Sequence, residues 1–200
     1  MAASSDNPAL MRSLSDPDPI KRNLAAAVLF ENGSKSIRSL TQEWLGFTPL
    51  AESLVRDPAT GNLEITVGIA VEPPNFDRIR AANGSPRLAN VPPDQDAQEF
   101  ELFFPGGVRL DVLTTGRPRG GGAIARYLQK FGEGIQQVEI GVTNVGRATQ
   151  ALRERFGIEP IYPATRAGAD GTSVNFFLVP TTEGKKVLVE LVESVNRPEH

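Results

Sequence analysis

Cysteine is absent from this sequence of 200 residues. Disulfides, thiolate metal sites and cysteine nucleophiles are therefore excluded. Histidine is nearly absent too, the single one being His200, the final residue. Imidazole acid–base chemistry and histidine metal ligation lose their usual side chain. No apolar run approaches the roughly 20 residues that cross a bilayer, so no membrane partner is expected. The opening stretch "MAASSDNPALMRSLSDPDP" has no basic n-region and no continuous apolar h-region, so it does not read as a secretory signal and the expected location is the cytoplasm. Basic charge is also in short supply. Lys and Arg number 21 against 24 Asp and Glu, for a net charge of -3. Outside the short stretch "GRPRGGG" the basic residues are scattered, so a nucleic-acid partner has no electrostatic support.

What is present is enough for a core, since apolar residues make up 40% of the chain. Residues 1–22 are polar with repeated Asn-Pro and Asp-Pro signals and read as an N-terminal extension. "NLAAAVLF" (23–30) reads as a buried strand, "ENG" as a turn, and "SKSIRSLTQEWLG" as a helix from Ser34 to Gly46. "FTPLAESLV" and "NLEITVGIAV" read as strands. Residues 72–96 are rich in Pro, Asn and Asp and read as an inserted loop with at most a helical turn. "QEFELFF-PGG-VRLDVL" reads as a hairpin. "RPRGGG" reads as a linker and "AIARYLQKFG" as a short amphipathic helix.

The same order then starts again. "IQQVEIGV" is a strand, and "NVGRATQALRERFG" a helix capped by Asn144 and closed by Gly157. "IEPIYP", "SVNFFLVP" and "KKVLVELVE" are strands, the last reached through "TTEG". The expected domains are a first module over 23–115 with its insertion at about 72–96, a linker and short helix over 116–132, and a second module over 133–200. Both read β-α-β-β-β, which points to an internal duplication.

The stretch "GVRLDVLTTG…AIARYLQKFGEGIQQVEIGVTNVGRATQALRERFGIEPI…VNFFLVP…GKKVLVELVE" resembles the vicinal oxygen chelate superfamily, most closely its methylmalonyl-CoA epimerase-like and glyoxalase-like members. The resemblance covers residues 99–193 well, is weaker over 23–56, and is absent over 1–22 and about 72–96. It implies an α+β fold of two βαβββ modules forming a cupped, partly open mixed sheet with helices outside. It also implies metal ligands. The second-module histidine falls on Gln137, the closing glutamate on Glu190, and the first-module counterpart of that glutamate on Asp111. The first-strand histidine falls near Asn23 or Ala25, so both histidines are missing. An epimerase-type base falls near Glu99 or Glu101. Homodimers are common in the superfamily, so a homodimer is expected.

Strand alternation examines the same residues independently. Gln137 shares a face with Glu139, opposite Val138, Ile140 and Val142. Glu99 and Glu101 share a face, Asp111 lies with Arg109 and Leu113, and Asn175 lies with Phe177. Glu190 interrupts an apolar strand, where a carboxylate needs a partner, a proton or a metal. Ordinary solvated strand residues account for Gln136 and Gln137 equally well. The oxygen donors Asp111, Glu190 and Gln137 suit a weakly held Mg²⁺, Mn²⁺ or Ca²⁺, or no cofactor at all.

Two functions follow. In one, the protein is an isomerase or lyase that abstracts a proton next to a carbonyl. Glu190 with Glu101 or Glu99 are the acid and base, and Asp111, Gln137, Asn175 and Phe177 contact the small-molecule substrate. In the other it binds a small molecule without catalysis, as sequestering members of the superfamily do.

Overall fold

A computed structural model describes residues 7–58, 60–117, 120–180 and 186–194. The expected turn at 181–184 and His200 lie outside the described residues. In chain order the elements are α1 (Asn7–Ser13), α2 (Pro19–Leu45), α3 (Thr48–Ala51), β1 (Ile65–Ala70), α4 (Pro73–Ala82), β2 (Ala97–Phe104), β3 (Val108–Thr115), α5 (Ala123–Phe131), β4 (Gly134–Gly141), α6 (Val145–Phe156), β5 (Arg166–Ala167), β6 (Ser173–Pro180) and β7 (Lys186–Glu193). The class is α+β, as expected. The chain divides into two compact units, residues 1–33 with 67–136, and 34–66 with 137–200.

In the first unit β3 lies between β2, antiparallel to it, and β1, parallel to it. One face of these strands carries Phe100, Leu110, Val112, Val67 and Ile69, all buried. Phe76 of α4 packs edge-on against Phe100, with ring centroids 4.7 Å apart. On the opposite face, at the Ala70–Leu113 end, Ile124 and Leu128 of α5 form a separate apolar cluster. In the second unit β7 lies between β4, parallel to it, and β6, antiparallel to it, and the short β5 adds to the outer edge of β6. Val138, Ile140, Phe177, Val179, Val189 and Leu191 cover one face. They pack with Val145, Ala148 and Leu152 of α6 and with Ile37 and Trp44 of α2. Burying such large side chains contributes about 1.5–3 kcal/mol each.

Three stretches read as strands differ from expectation. "IEPIYP" (158–163) is no strand: Pro160 makes only an isolated bridge, to Phe177, because its two prolines have no N–H to donate to a ladder. Residues 23–30 are helix, not strand, and "ENG" is no turn: α2 runs unbroken through both. The reason is visible in burial, because Ala25, Ala26 and Leu29 are buried while Leu24 and Val28 are exposed, a helical period rather than a twofold one. Three successive alanines also favour helix. Gly33 sits mid-helix because α2 approaches β1 closely there. A Cβ on it would lie 2.6 Å from both γ-methyls of Val67. "FTPLAESLV" is likewise no strand. Its first half forms α3, with proline in the first turn, and only Leu54 and Arg56 make isolated bridges.

The duplication is present but begins later than expected. The first repeat starts at β1, and the residues read as an insertion supply its helix, α4. The order β1-α4-β2-β3 matches β4-α6-β6-β7. In each repeat the first strand runs parallel to the last, and the last is antiparallel to its predecessor. Both repeat helices begin on a carboxylate from elsewhere in the same unit. Glu133 accepts the backbone N–H of Glu72 at 3.0 Å, and Glu193 accepts that of Val145 at 2.8 Å.

Candidate functional site

In the second unit β4 and β7 run parallel, and their register sets Glu139 beside Glu190. Alternation gives both carboxylates one face, shared with Gln137 two residues back along β4. The opposite faces of the same strands are the apolar core, so these polar side chains are held by a rigid, well-packed platform. Glu190 is 8% exposed and Gln137 6%. The Gln137 amide nitrogen donates to Glu190 Oε2 at 2.6 Å and to Glu139 Oε1 at 3.1 Å. Only the NH₂ side of an amide can lie between two carboxylate oxygens, because the carbonyl oxygen would repel both. Phe176 of β6 stands opposite Glu190 and supplies an aromatic neighbour.

Asn175 and Phe177, expected with Glu190, are on the other face. The pairing of Phe176 with Glu190 fixes this, since neighbours along a strand alternate. Asn175 is 1% exposed and donates to Thr149 Oγ1 of α6 at 3.3 Å, while Phe177 belongs to the core. They brace the repeat helix and do not meet Gln137. Glu139, by contrast, was not among the expected site residues. The signal for it existed, because alternation already places it with Gln137.

In the first unit the β2–β3 register sets Glu101 opposite Asp111, Glu99 opposite Leu113, and Phe103 opposite Arg109. Of the two candidate bases, Glu101 is thus the one that faces a second carboxylate. Asp111 is 5% exposed, Glu101 is exposed and Glu99 half-buried. The Arg109 guanidinium lies 6.0 Å from the ring centroid of the exposed Phe103. At the far end of this face, the hydroxyl of Tyr127 on α5 donates to the Ile135 carbonyl at 2.8 Å. Burial pushes the Tyr127 phenol above its ordinary 10. The "RPRGGG" stretch begins with Arg117 Nε paired to Asp96 Oδ1 at 3.1 Å, so that charge is engaged in holding the loop.

The registers put the two repeats in correspondence. Asp111 on β3 matches Glu190 on β7, and Gly68, beside Asp111, matches Glu139. Glu101 matches Phe176. Counting back two residues along β1, Thr66 matches Gln137. The first-strand position expected at Asn23 or Ala25 therefore falls on Thr66, because those two residues lie in α2.

The donor set does not fit the metal that the resemblance implies. Neither matched first-strand position carries imidazole. The Gln137 amide turns its nitrogen, which is no ligand, toward the carboxylates. Among the described residues no group of three or more His, Cys, Asp and Glu side chains is placed to hold a metal ion.

No protein-family model matches the sequence, and no curated protein does. Solved structures do match. Methylmalonyl-CoA epimerase from Mycobacterium tuberculosis aligns with a TM-score of 0.54 at 28% identity, over 66% of this chain and 87% of that one. A variant of the Streptomyces coelicolor methylmalonyl-CoA epimerase, in complex with 2-nitronate-propionyl-CoA, aligns at 0.55 and 26% identity, over 73% of this chain and 100% of that one. A hypothetical protein from Bacillus halodurans C-125 aligns at 0.55 and 26%, over 68% and 96%. The fold is that of the vicinal oxygen chelate, or glyoxalase-like, superfamily. Within it, the structural neighbours are methylmalonyl-CoA epimerases.

Proposed function

We propose that the protein is an isomerase of the epimerase kind, moving a proton at the carbon next to a carbonyl of a small acyl thioester. The observation that carries this reading is the buried Glu190 carboxylate, clamped on a strand whose opposite face is core, in a fold whose neighbours are epimerases. The coenzyme A thioester class comes from the neighbours, one of which holds 2-nitronate-propionyl-CoA.

The chemistry needs little. Glu190 takes the proton from the carbon, the C–H electron pair forms the C–C double bond of an enolate, and the carbonyl oxygen takes the charge. Return of a proton to the opposite face of the carbon inverts it. A carboxylate held by donors and packed strands keeps its geometry through both steps. The Glu101–Asp111 pair is the other pair of carboxylates available for proton transfer, and its part is tested separately.

The test is wash-in of deuterium. Short-chain 2-substituted acyl-CoA thioesters, methylmalonyl-CoA among them, are incubated with enzyme in D₂O and read by mass spectrometry. Exchange by the wild type, lost at least about 100-fold in Glu190→Gln, is expected for a general base. Equal exchange in Glu190→Gln would remove Glu190 from the role, and Glu101→Gln would be examined next. Tight binding of a thioester without exchange would establish the second reading, ligand binding without catalysis. One observation favours that reading: Gln137 already donates to two carboxylates, so this amide is engaged rather than open to an enolate oxygen.

A further inference from the structure

We infer that Gln137 takes over the metal's structural task, as a positioning residue that joins Glu139 and Glu190, and that the second unit's site works without a divalent ion. What Glu190 does rests on the reading above, whereas the joining of the two carboxylates rests on geometry alone.

Parallel pairing forces Glu139 and Glu190 side by side on one face. Two carboxylates so placed repel, and the buried member also loses hydration. A group with positive character between them relieves that repulsion. A divalent ion is one solution, and the Gln137 NH₂ is another, with one N–H for each carboxylate, at 2.6 and 3.1 Å. The two solutions exclude each other. An ion at that point would need the amide turned to present its oxygen, which breaks both hydrogen bonds and gains one neutral ligand.

An acid on the first strand is specific to this repeat. Where Glu139 stands beside Glu190, the matching residue beside Asp111 is Gly68, which has no side chain to clamp. Glutamine at 137 and glutamate at 139 therefore belong together. The amide donates to the extra carboxylate as well as to Glu190.

The inference is tested on the full chain, purified without metal-affinity steps and titrated with Co²⁺ by calorimetry and visible absorption. Wild type is expected to show no saturable uptake up to about 1 mM. Gln137→His replaces the clamp by a ligand next to two carboxylates, and is expected to bind one Co²⁺ per chain at least about tenfold more tightly than wild type. Adding Glu139→Gln to that variant should reverse most of the gain. Circular dichroism checks that each variant folds. Stoichiometric micromolar binding by wild type, abolished by Glu190→Gln, would overturn the inference. So would a folded Gln137→His that gains nothing, since its neighbours would then not be held together.

A measurement on wild type alone covers the case of a variant that fails to fold. The two Gln137 side-chain N–H resonances should be protected from exchange, and equimolar Co²⁺ should leave them sharp. Broadening beyond detection would overturn the inference. A protein that binds no metal and exchanges no substrate proton refutes the catalytic reading and leaves this one standing. A protein that exchanges only with metal does the reverse.

Discussion

Replacing Gln137 by leucine removes both N–H donors and leaves volume nearly unchanged, so the electrostatic part of the clamp can be weighed on its own. The 2.6 Å bond to Glu190 is buried and charge-assisted, a class worth about 1.5–3 kcal/mol. The 3.1 Å bond to the half-buried Glu139 falls at or below the low end of that range, because water can replace the donor. The expected loss is about 2–4 kcal/mol. In a chain of 200 residues that lowers Tm by roughly 5–15 °C. The informative quantity is the double-mutant cycle with Glu190→Leu. Removing both partners also removes the carboxylate that lost its 2.6 Å donor, so the double variant should be more stable than the sum of the single losses implies by about 1.5–3 kcal/mol. Urea unfolding of the four proteins measures this directly. Losses that add within about 0.5 kcal/mol would refute the clamp, because uncoupled residues cannot be holding one another.

Three further outcomes follow from the packing. Gly33→Ala gains up to about 1 kcal/mol of helix propensity, yet its Cβ meets two methyls of the stiff, buried Val67 at 2.6 Å, so a net loss of about 1–2 kcal/mol is expected in urea unfolding. Pairing it with Val67→Ala should cost less than the two changes added. Asn144→Ala removes the acceptor of the Arg147 N–H at 2.8 Å at the start of α6, and should cost about 1 kcal/mol by the same assay. The chain has two tyrosines, and ultraviolet titration should show one phenol ionising above 10 that disappears in Tyr127→Phe. Because the folded phenol holds its proton more tightly than the unfolded one, its contribution to stability is present below pH 10. It is lost as pH rises through the folded value. A titration in which Tyr127→Phe removes a phenol with the ordinary value would refute the burial argument.

How much of this was legible in the sequence depended on whether local signals acted alone. The second repeat read correctly apart from the strand expected at 158–163. Asn144, Gly157 and the 3.6-residue spacing of Val145, Ala148, Leu152 and Phe156 agree with one another, and Gly157 takes the left-handed conformation that ends α6. The β2–β3 hairpin read correctly for the same reason. The first repeat misled because its strongest local cue, the glycine in "ENG", answers a tertiary demand. Gly33 is there so that α2 can touch Val67, and no periodicity within 23–33 reports a strand 34 residues away in sequence. Once that apolar run was taken for a strand, the real first strand, β1, was displaced to second place. The real helix, α4, was then left over as an insertion.

The candidate site shows the same dependence on register. Alternation alone ties Gln137 to Glu139, since both lie on one strand. What it could not supply is the pairing between strands. The β4–β7 register brings Glu190 to that pair, the β2–β3 register selects Glu101 over Glu99 as the partner of Asp111, and the β6–β7 register turns Asn175 away. Register also moves the first-strand position from α2 to Thr66. With that shift the two repeats differ in a physically coherent way. The first strand of one carries threonine and glycine beside Asp111, and that of the other glutamine and glutamate beside Glu190. In the first repeat the acidic neighbour of Asp111 is the exposed Glu101, which water can serve, whereas the two glutamates of the second repeat lie on adjacent parallel strands and share the Gln137 amide. The glutamine that looked like a lost metal ligand is, in that setting, the donor the two carboxylates share.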